Sequence, residues 1–346
     1  MDMKTELQLL SNCIAVTGME EAIAAFISTR IPSNYKLYKD ALNSLHVSIP
    51  GKEHSKKILL LTHYDEPGMI VTKREGQFLA FQTTGSLSPS SLAAQEVTIT
   101  DGVHTHPGII GARPPHILRP EEQKAPLSID TLRIDLGLTE QDPFPQWILP
   151  GIPAVISRPF TELLNHRVCG KSLTDRCGTA ILMALLQDFP QMKNDVYIVF
   201  ASQYYNTFKG ALVAAHTIQP HVALILDGIC VSSREHPDNP LQIGKGPVSY
   251  FGPTCHKGLT NALRKTAKTE GIPLQKRSSG ERRFSDIWTV QTAVGGISSA
   301  LLELPIMYSG KSTEIVSISD MDKALKLIQA FLPFLDKVIK EKAYYA

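Results

Sequence analysis

No stretch of this 346-residue chain approaches the roughly 18 consecutive apolar residues that a membrane-spanning helix requires. A membrane partner is therefore not expected. The first ten residues, MDMKTELQLL, carry acids where a secretory signal would place basic residues followed by an apolar core, so a cytoplasmic protein is expected. Cysteine is sparse: Cys13, Cys169, Cys177, Cys230 and Cys255 are odd in number and widely spaced, and no Cys-x-x-Cys pair occurs. That argues against a zinc ribbon or a disulfide framework and leaves reduced thiols. There is no G-x-S-x-G elbow and no phosphate-binding glycine loop. The formal net charge is only +2, and no basic stripe exists; the densest basic run, residues 276–283, reads as a solvated loop. Nucleic acid is not expected as a partner. Histidine is absent after His256, and neither internal repeats nor low-complexity segments are present.

What is present is an ordinary globular composition, 43% apolar, in a chain long enough for two domains or one large domain with an insertion. The organising stretch is KILLLTHYDEPG, residues 57–68. Ile58 to Leu61 form an apolar run of the kind found in strands buried on both faces of a parallel sheet. His63 and Asp65 follow it, two residues apart and so on one face if the strand continues. Ligands of open α/β sheets bind beyond the carboxyl ends of strands, which makes this pair a candidate metal and catalytic site. A hydrogen-bonded pair that closes the strand is the bland alternative. Upstream, Thr17 to Glu20 has the form of a helix-capping box, and Leu37 to Ile49 alternates like a strand pair. From about residue 70 to 160 the segments are short, alternating and broken by Gly and Pro, the texture of an inserted all-β unit. Its His104 and His106 sit among turn residues and suggest an exposed hairpin. After Arg167 the α/β texture returns. Buried strands are expected at Val196–Ala201, Val222–Leu226 ending in Asp227, and Ser299–Leu304. Helices are expected at Thr179–Leu186, Gly210–Thr217, Leu259–Gly271 and from near Ser319, with Pro333 kinking the last.

Several stretches, in this order, resemble the tetrahedral aminopeptidases, also called glutamyl or deblocking aminopeptidases: TGMEEAIAAFI, THYDEPGMIVT, PGIIGARPPHIL, GKSLTDRCG, FASQYYNTFKGA, ALILDG, IGKGP and RFSDIW. The resemblance runs nearly end to end. It implies a three-layer α/β domain with a mixed, mostly parallel central sheet, formed by residues 1–69 and 166–346. Residues 70–165 would form an inserted β-barrel that mediates dimerisation. It also implies a homodimer or a tetrahedral dodecamer, and a site for two divalent metals, zinc or cobalt.

Carried over one position at a time, the resemblance places the family's first metal ligand at His63, its supporting acid at Asp65 and a further metal ligand at Asp227. The remaining positions depart from the pattern. The bridging carboxylate falls on Thr174, and the general base and neighbouring metal ligand fall on Tyr204 and Tyr205. The final metal histidine falls on Gly310, with Tyr308 and Glu314 as flanking anchors. Asp175 and Asp286 are implied to line a substrate pocket, and Asp175 and Arg176 could form a local ion pair. A catalytic zinc needs about three protein ligands and an open position, and His63 and Asp227 alone do not supply them. A phenol titrating near pH 10 is a poor general base at neutral pH. No cofactor is therefore expected, or at most one weakly held metal. The expected function is a catalytically impaired homologue that binds a peptide or small molecule or serves as an oligomeric subunit. The alternative is an active hydrolase with a rearranged or single-metal site. At least one of Tyr204 and Tyr205 is expected to project into the former metal cavity, with its hydroxyl near His63 or Asp227.

Overall fold

The computed structural model describes residues 2–85, 87–231, 241–280 and 284–341. Its strands, in chain order, are β1 Lys36–Lys39, β2 Leu45–Ile49, β3 Lys57–His63, β4 Gly68–Glu75, β5 Phe78–Thr84, β6 Glu96–Thr100, β7 Thr105–Ala112, β8 Leu132–Asp135 and β9 Pro153–Ile156. They continue with β10 Thr161–Leu163, β11 Arg167–Gly170, β12 Asp195–Ala201, β13 Val222–Cys230, β14 Val248–Phe251, β15 Gln275–Ser278, β16 Ser298–Ile306 and β17 Glu314–Ser317.

The apolar runs become the middle of an eight-stranded sheet in the order β1-β2-β12-β3-β13-β16-β14-β15. The four central strands run parallel to one another. The strand alternation explains the three layers: Ile58 and Leu60 join one apolar core, Leu59 and Leu61 the other. On the first face lie the helices Met3–Asn12, Glu21–Ser28, Leu173–Gln187, Lys257–Thr269 and Ile318–Glu341. On the second lie Lys209–Ile218 and Ile287–Val290. No helix among the described residues is long and apolar enough to cross a membrane.

Strands β4 to β9 close into an antiparallel barrel in the order β4-β5-β8-β7-β6-β9. Met69, Val71, Leu79, Phe81, Val97 and Ile99, alternating along their strands, fill it. The barrel strands end at Ile156. Thr161–Leu163, which the sequence placed with the insert, instead pairs with β11 and through it with β17, next to the site described below. Three local expectations are corrected. The capping box does not form, because Glu20, not Thr17, precedes the helix Glu21–Ser28, and the Thr17 hydroxyl is drawn to Asp65. The helix expected from Thr179 already begins at Leu173, so the sequence GKSLTDR reaches into it. The basic run begins as an edge strand, Gln275–Ser278, rather than a loop, and residues 281–283 lie outside the described residues.

Candidate functional site

Strand register assembles the site. Ala201 of β12 pairs with His63, and Ile225 of β13 pairs with Leu61, so Asp227 comes level with His63. The turn after β12 carries Tyr204 and Tyr205 to the same level. The helix Leu173–Gln187 can approach because Gly178 packs directly on Thr62; a Cβ there would collide with the threonine hydroxyl. That approach brings Asp175 against His63.

His63 is buried, and its Nε2 donates to Asp175 Oδ1 at 3.1 Å. Its Nδ1 faces Asp286 Oδ2 at 3.4 Å, an ion-pair distance longer than a good hydrogen bond. Burial works against the imidazolium. The hydrogen bonds and charge of Asp175, Asp286 and Asp227 outweigh it and hold the His63 pKa well above the usual value. The Tyr204 ring stacks on the imidazole, with centroids 3.7 Å apart and planes 22° from parallel. The Tyr204 hydroxyl donates to Asp227 Oδ2 at 3.3 Å, and the Tyr205 hydroxyl donates to Asp175 Oδ1 at 2.7 Å. Burial, then the neighbouring Asp175 charge, pushes the Tyr205 phenol well above its usual pKa, so it stays a donor. Burial pushes Asp286 up to about 6. Thr174 and Gly310, at the two other positions where the resemblance implies metal ligands, both give their backbone N–H to Glu314, at 2.7 Å each. Burial and the nearby Asp175 push that carboxyl up to about 7.

His63 and Asp65 do not form a hydrogen-bonded pair. Asp65 instead accepts from the Thr17 hydroxyl at 2.6 Å and the Tyr204 N–H at 3.1 Å. Arg176 does not pair with Asp175 either. It reaches Glu66 at 3.2 Å, beside Lys171 and the Ser172 hydroxyl, both 2.6 Å from the same carboxylate. Burial opposes the Glu66 charge, but Lys171 and Arg176 overcome it and hold this carboxyl below its usual range. Burial also raises Cys177 well above a normal thiol, so the helix start does not make it a thiolate.

Above the two tyrosines opens a cavity of about 500 Å³, walled by Tyr204, Phe208, Ile229 and Phe284 with Asp227 and Ser309. Thr174, Tyr205 and Gly310 also face it. Asp175 and Asp286, expected in the pocket wall, do not line it: both are buried against His63. Sequence reasoning missed the Glu66–Lys171–Arg176 cluster, although its members stand inside the quoted THYDEPG and GKSLTDR stretches. It also gave no role to Phe208 and Phe284, although they stand inside the quoted FASQYYNTFKGA and RFSDIW stretches.

A three-layer sheet with a barrel let into it, and polar side chains gathered at the ends of parallel strands, defines a peptidase-type α/β protein. The chain belongs to the M42 glutamyl aminopeptidase family, whose model matches residues 43–327. It is 27% identical over 289 residues to the lysyl aminopeptidase of Pyrococcus furiosus, covering 81% of this chain and 82% of that one. Among solved structures it is similar to the TET aminopeptidase of the marine sediment archaeon Thaumarchaeota archaeon SCGC AB-539-E09: 26% identity, 99% of both chains covered, TM-score 0.90. It is likewise similar to PhTET1-12s, a dodecamer in its asymmetric unit: 25% identity, 96% of this chain and 99% of that one covered, TM-score 0.84.

The pair of divalent metals implied by the resemblance does not fit the residues present. The Tyr204 ring covers His63, Nε2 of His63 is committed to Asp175, and Asp227 accepts from a phenol. Among the described residues, no three His, Cys, Asp or Glu side chains are arranged to hold a metal ion.

Proposed function

We propose that this chain is an aminopeptidase homologue in which hydrolysis has been given up and the pocket kept as a binding site for a peptide or small molecule. The observation that carries this reading is the pair of phenols standing where the resemblance implies carboxylates. Tyr204 and Tyr205 hydrogen-bond Asp227 and Asp175 and so supply, as neutral donors, the compensation those buried acids need. Neither phenol is a base at neutral pH. The cavity supports a binding role, since about 500 Å³ walled mainly by aromatic and aliphatic groups lies within the usual range for ligand sites. The barrel and the dodecameric relative support assembly into a homo-oligomer.

The test is elemental analysis after incubation with zinc or cobalt, combined with an aminopeptidase assay with and without chelator. The expected result is well under two metals per chain and no chelator-sensitive release of N-terminal residues. Two tightly held ions, or an activity that chelators abolish, would overturn the reading.

A further inference from the structure

Behind the tyrosine turn lies a carboxyl that the site does not use. Glu20 is fully buried. Its Oε1 accepts from the Gly18 N–H at 2.8 Å and from the Gln203 N–H at 3.1 Å, while Oε2 has no hydrogen-bond partner. The next N–H of the turn, that of Tyr204, goes to Asp65. Two consecutive peptide N–H groups are thus held by two buried carboxyls from separate segments. The turn needs holding: Gln203 has φ 55°, a left-handed conformation that costs a non-glycine residue energy and persists only when its surroundings impose it.

We propose that Glu20 is a pH-sensitive latch on this turn: uncharged, it holds Gln203 and sets Tyr204 and Tyr205 in the cavity; ionised, it lets the turn go. This makes Glu20 a positioning residue that acts through Gln203, and it rests on the reading of the cavity as filled by the two phenols.

The two N–H bonds to Oε1 favour the carboxylate, but full burial, with the Asp65 charge beside it, opposes the charge more strongly. Asp65 stands next to it and bears the same charge. The Tyr64 phenol, raised by burial and by these acids, remains an uncharged donor to the Asn43 carbonyl. Thr17 spends its hydroxyl on Asp65. His63, two residues before Asp65 in the chain, is engaged with Asp175 and Asp286. No Lys or Arg pairs with Glu20 among the described residues. Loss of the proton therefore leaves a buried anion with one oxygen undonated beside a second anion, and its charge is relieved by moving toward water. Burial, with Asp65 adding to it, pushes this carboxyl up to about 7. The proton is held in the closed form and leaves as pH rises through that value.

Amide hydrogen exchange on the full-length protein tests the latch, compared between wild type and Glu20→Gln from pH 5.5 to 8.5, with the intrinsic pH dependence of exchange removed. In wild type, protection of residues 203–205 should fall about tenfold or more with a midpoint near 7, while β13 stays protected. Glu20→Gln keeps the acceptor but cannot ionise, and its profile should be flat. Parallel profiles in the two proteins overturn the latch. If Glu20→Gln does not fold, the wild-type profile still decides: a flat one overturns the latch, and a midpoint near 7 confined to residues 203–205 supports it. The measurement uses neither metal nor substrate, so its failure leaves the proposed loss of hydrolysis standing, and discovery of a metal-dependent activity would not by itself alter it.

Discussion

Two buried polar clusters meet at the end of β3, and they are held together by opposite means. Around Glu66 the partners are cations: Lys171, Arg176 and the Ser172 hydroxyl converge on one carboxylate and keep it ionised. Around His63 the acids outnumber the cation, and the deficit is met by phenols, Tyr204 on Asp227 and Tyr205 on Asp175. The first cluster ties the N-terminal segment, the loop after β3 and the start of the helix Leu173–Gln187 together, with Glu66 also accepting from the Ala15 N–H at 2.9 Å. The second faces the cavity. The lesson is that the ionic cluster ties the frame through groups that do not line the cavity, leaving the cavity-facing cluster free of that task.

The largest test of this contrast is to reverse it. Thr174→Asp, Tyr204→Glu, Tyr205→Glu and Gly310→His together should raise metal content to two per chain and yield peptidase activity, whereas the two tyrosine changes alone should not. Gly310 has φ 74°, so the new histidine there carries a backbone cost of about 1–2 kcal/mol that the assay must tolerate. Failure of the quadruple variant to bind metal while folded would show that the frame has drifted as well as the ligands.

Breaking the ionic cluster comes next. Glu66→Ala leaves Lys171 and Arg176 buried without their anion and should cost about 3–5 kcal/mol in urea unfolding. In the phenolic cluster, Tyr205→Phe should cost less, about 1–3 kcal/mol, by removing the donor from buried Asp175. Tyr204→Phe should cost about 0.5–1.5 kcal/mol, because its bond is long and its ring still stacks on His63. If Tyr205→Phe proved as damaging as Glu66→Ala, the distinction between frame and pocket would collapse.

Titration sharpens the contrast further. The folded pKa of Glu66 lies below the usual 4.5, so its contribution to stability is present above that pH and lost as pH falls through the lowered value. Glu20 has the opposite sign: its folded pKa of about 7 exceeds 4.5, so stability declines as pH rises between them. Thermal melts across pH should show both limbs, and Glu20→Gln should lessen only the upper one, to which Asp286 and Glu314 also contribute.

Much of the fold was legible because its signals are local. Four apolar residues before His63, the alternating segments of the barrel and the apolar run before Asp227 each declare a strand through their own neighbours. The tyrosines' place was legible through the resemblance. The pairings were not. Arg176 chooses Glu66 over adjacent Asp175 because the helix it sits on turns the two side chains to different clusters, and that depends on how closely Gly178 lets the helix approach Thr62. The Glu20 contact joins residues 183 positions apart, which no local pattern records. The barrel's end was misjudged because β10 is only three exposed residues long and carries no pattern of its own, while its partner, β11, belongs to another sheet.

Both covalent connections of the barrel lead back to segments that build the site. Its entry at Gly68 lies five residues after His63, and the chain leaving β9 runs through β10 and β11 into Ser172 and Thr174. Within the barrel the first and last strands pair directly, Met69 opposite Ala154. The barrel is thus a staple that holds the two chain segments flanking the site at a fixed spacing. An unstructured loop of comparable length would have to be closed at an entropic cost of roughly 4 kcal/mol, by the logarithmic scaling of loop closure, before those segments could meet. Here that cost is met inside the barrel's own folding, so the site is born already spanned.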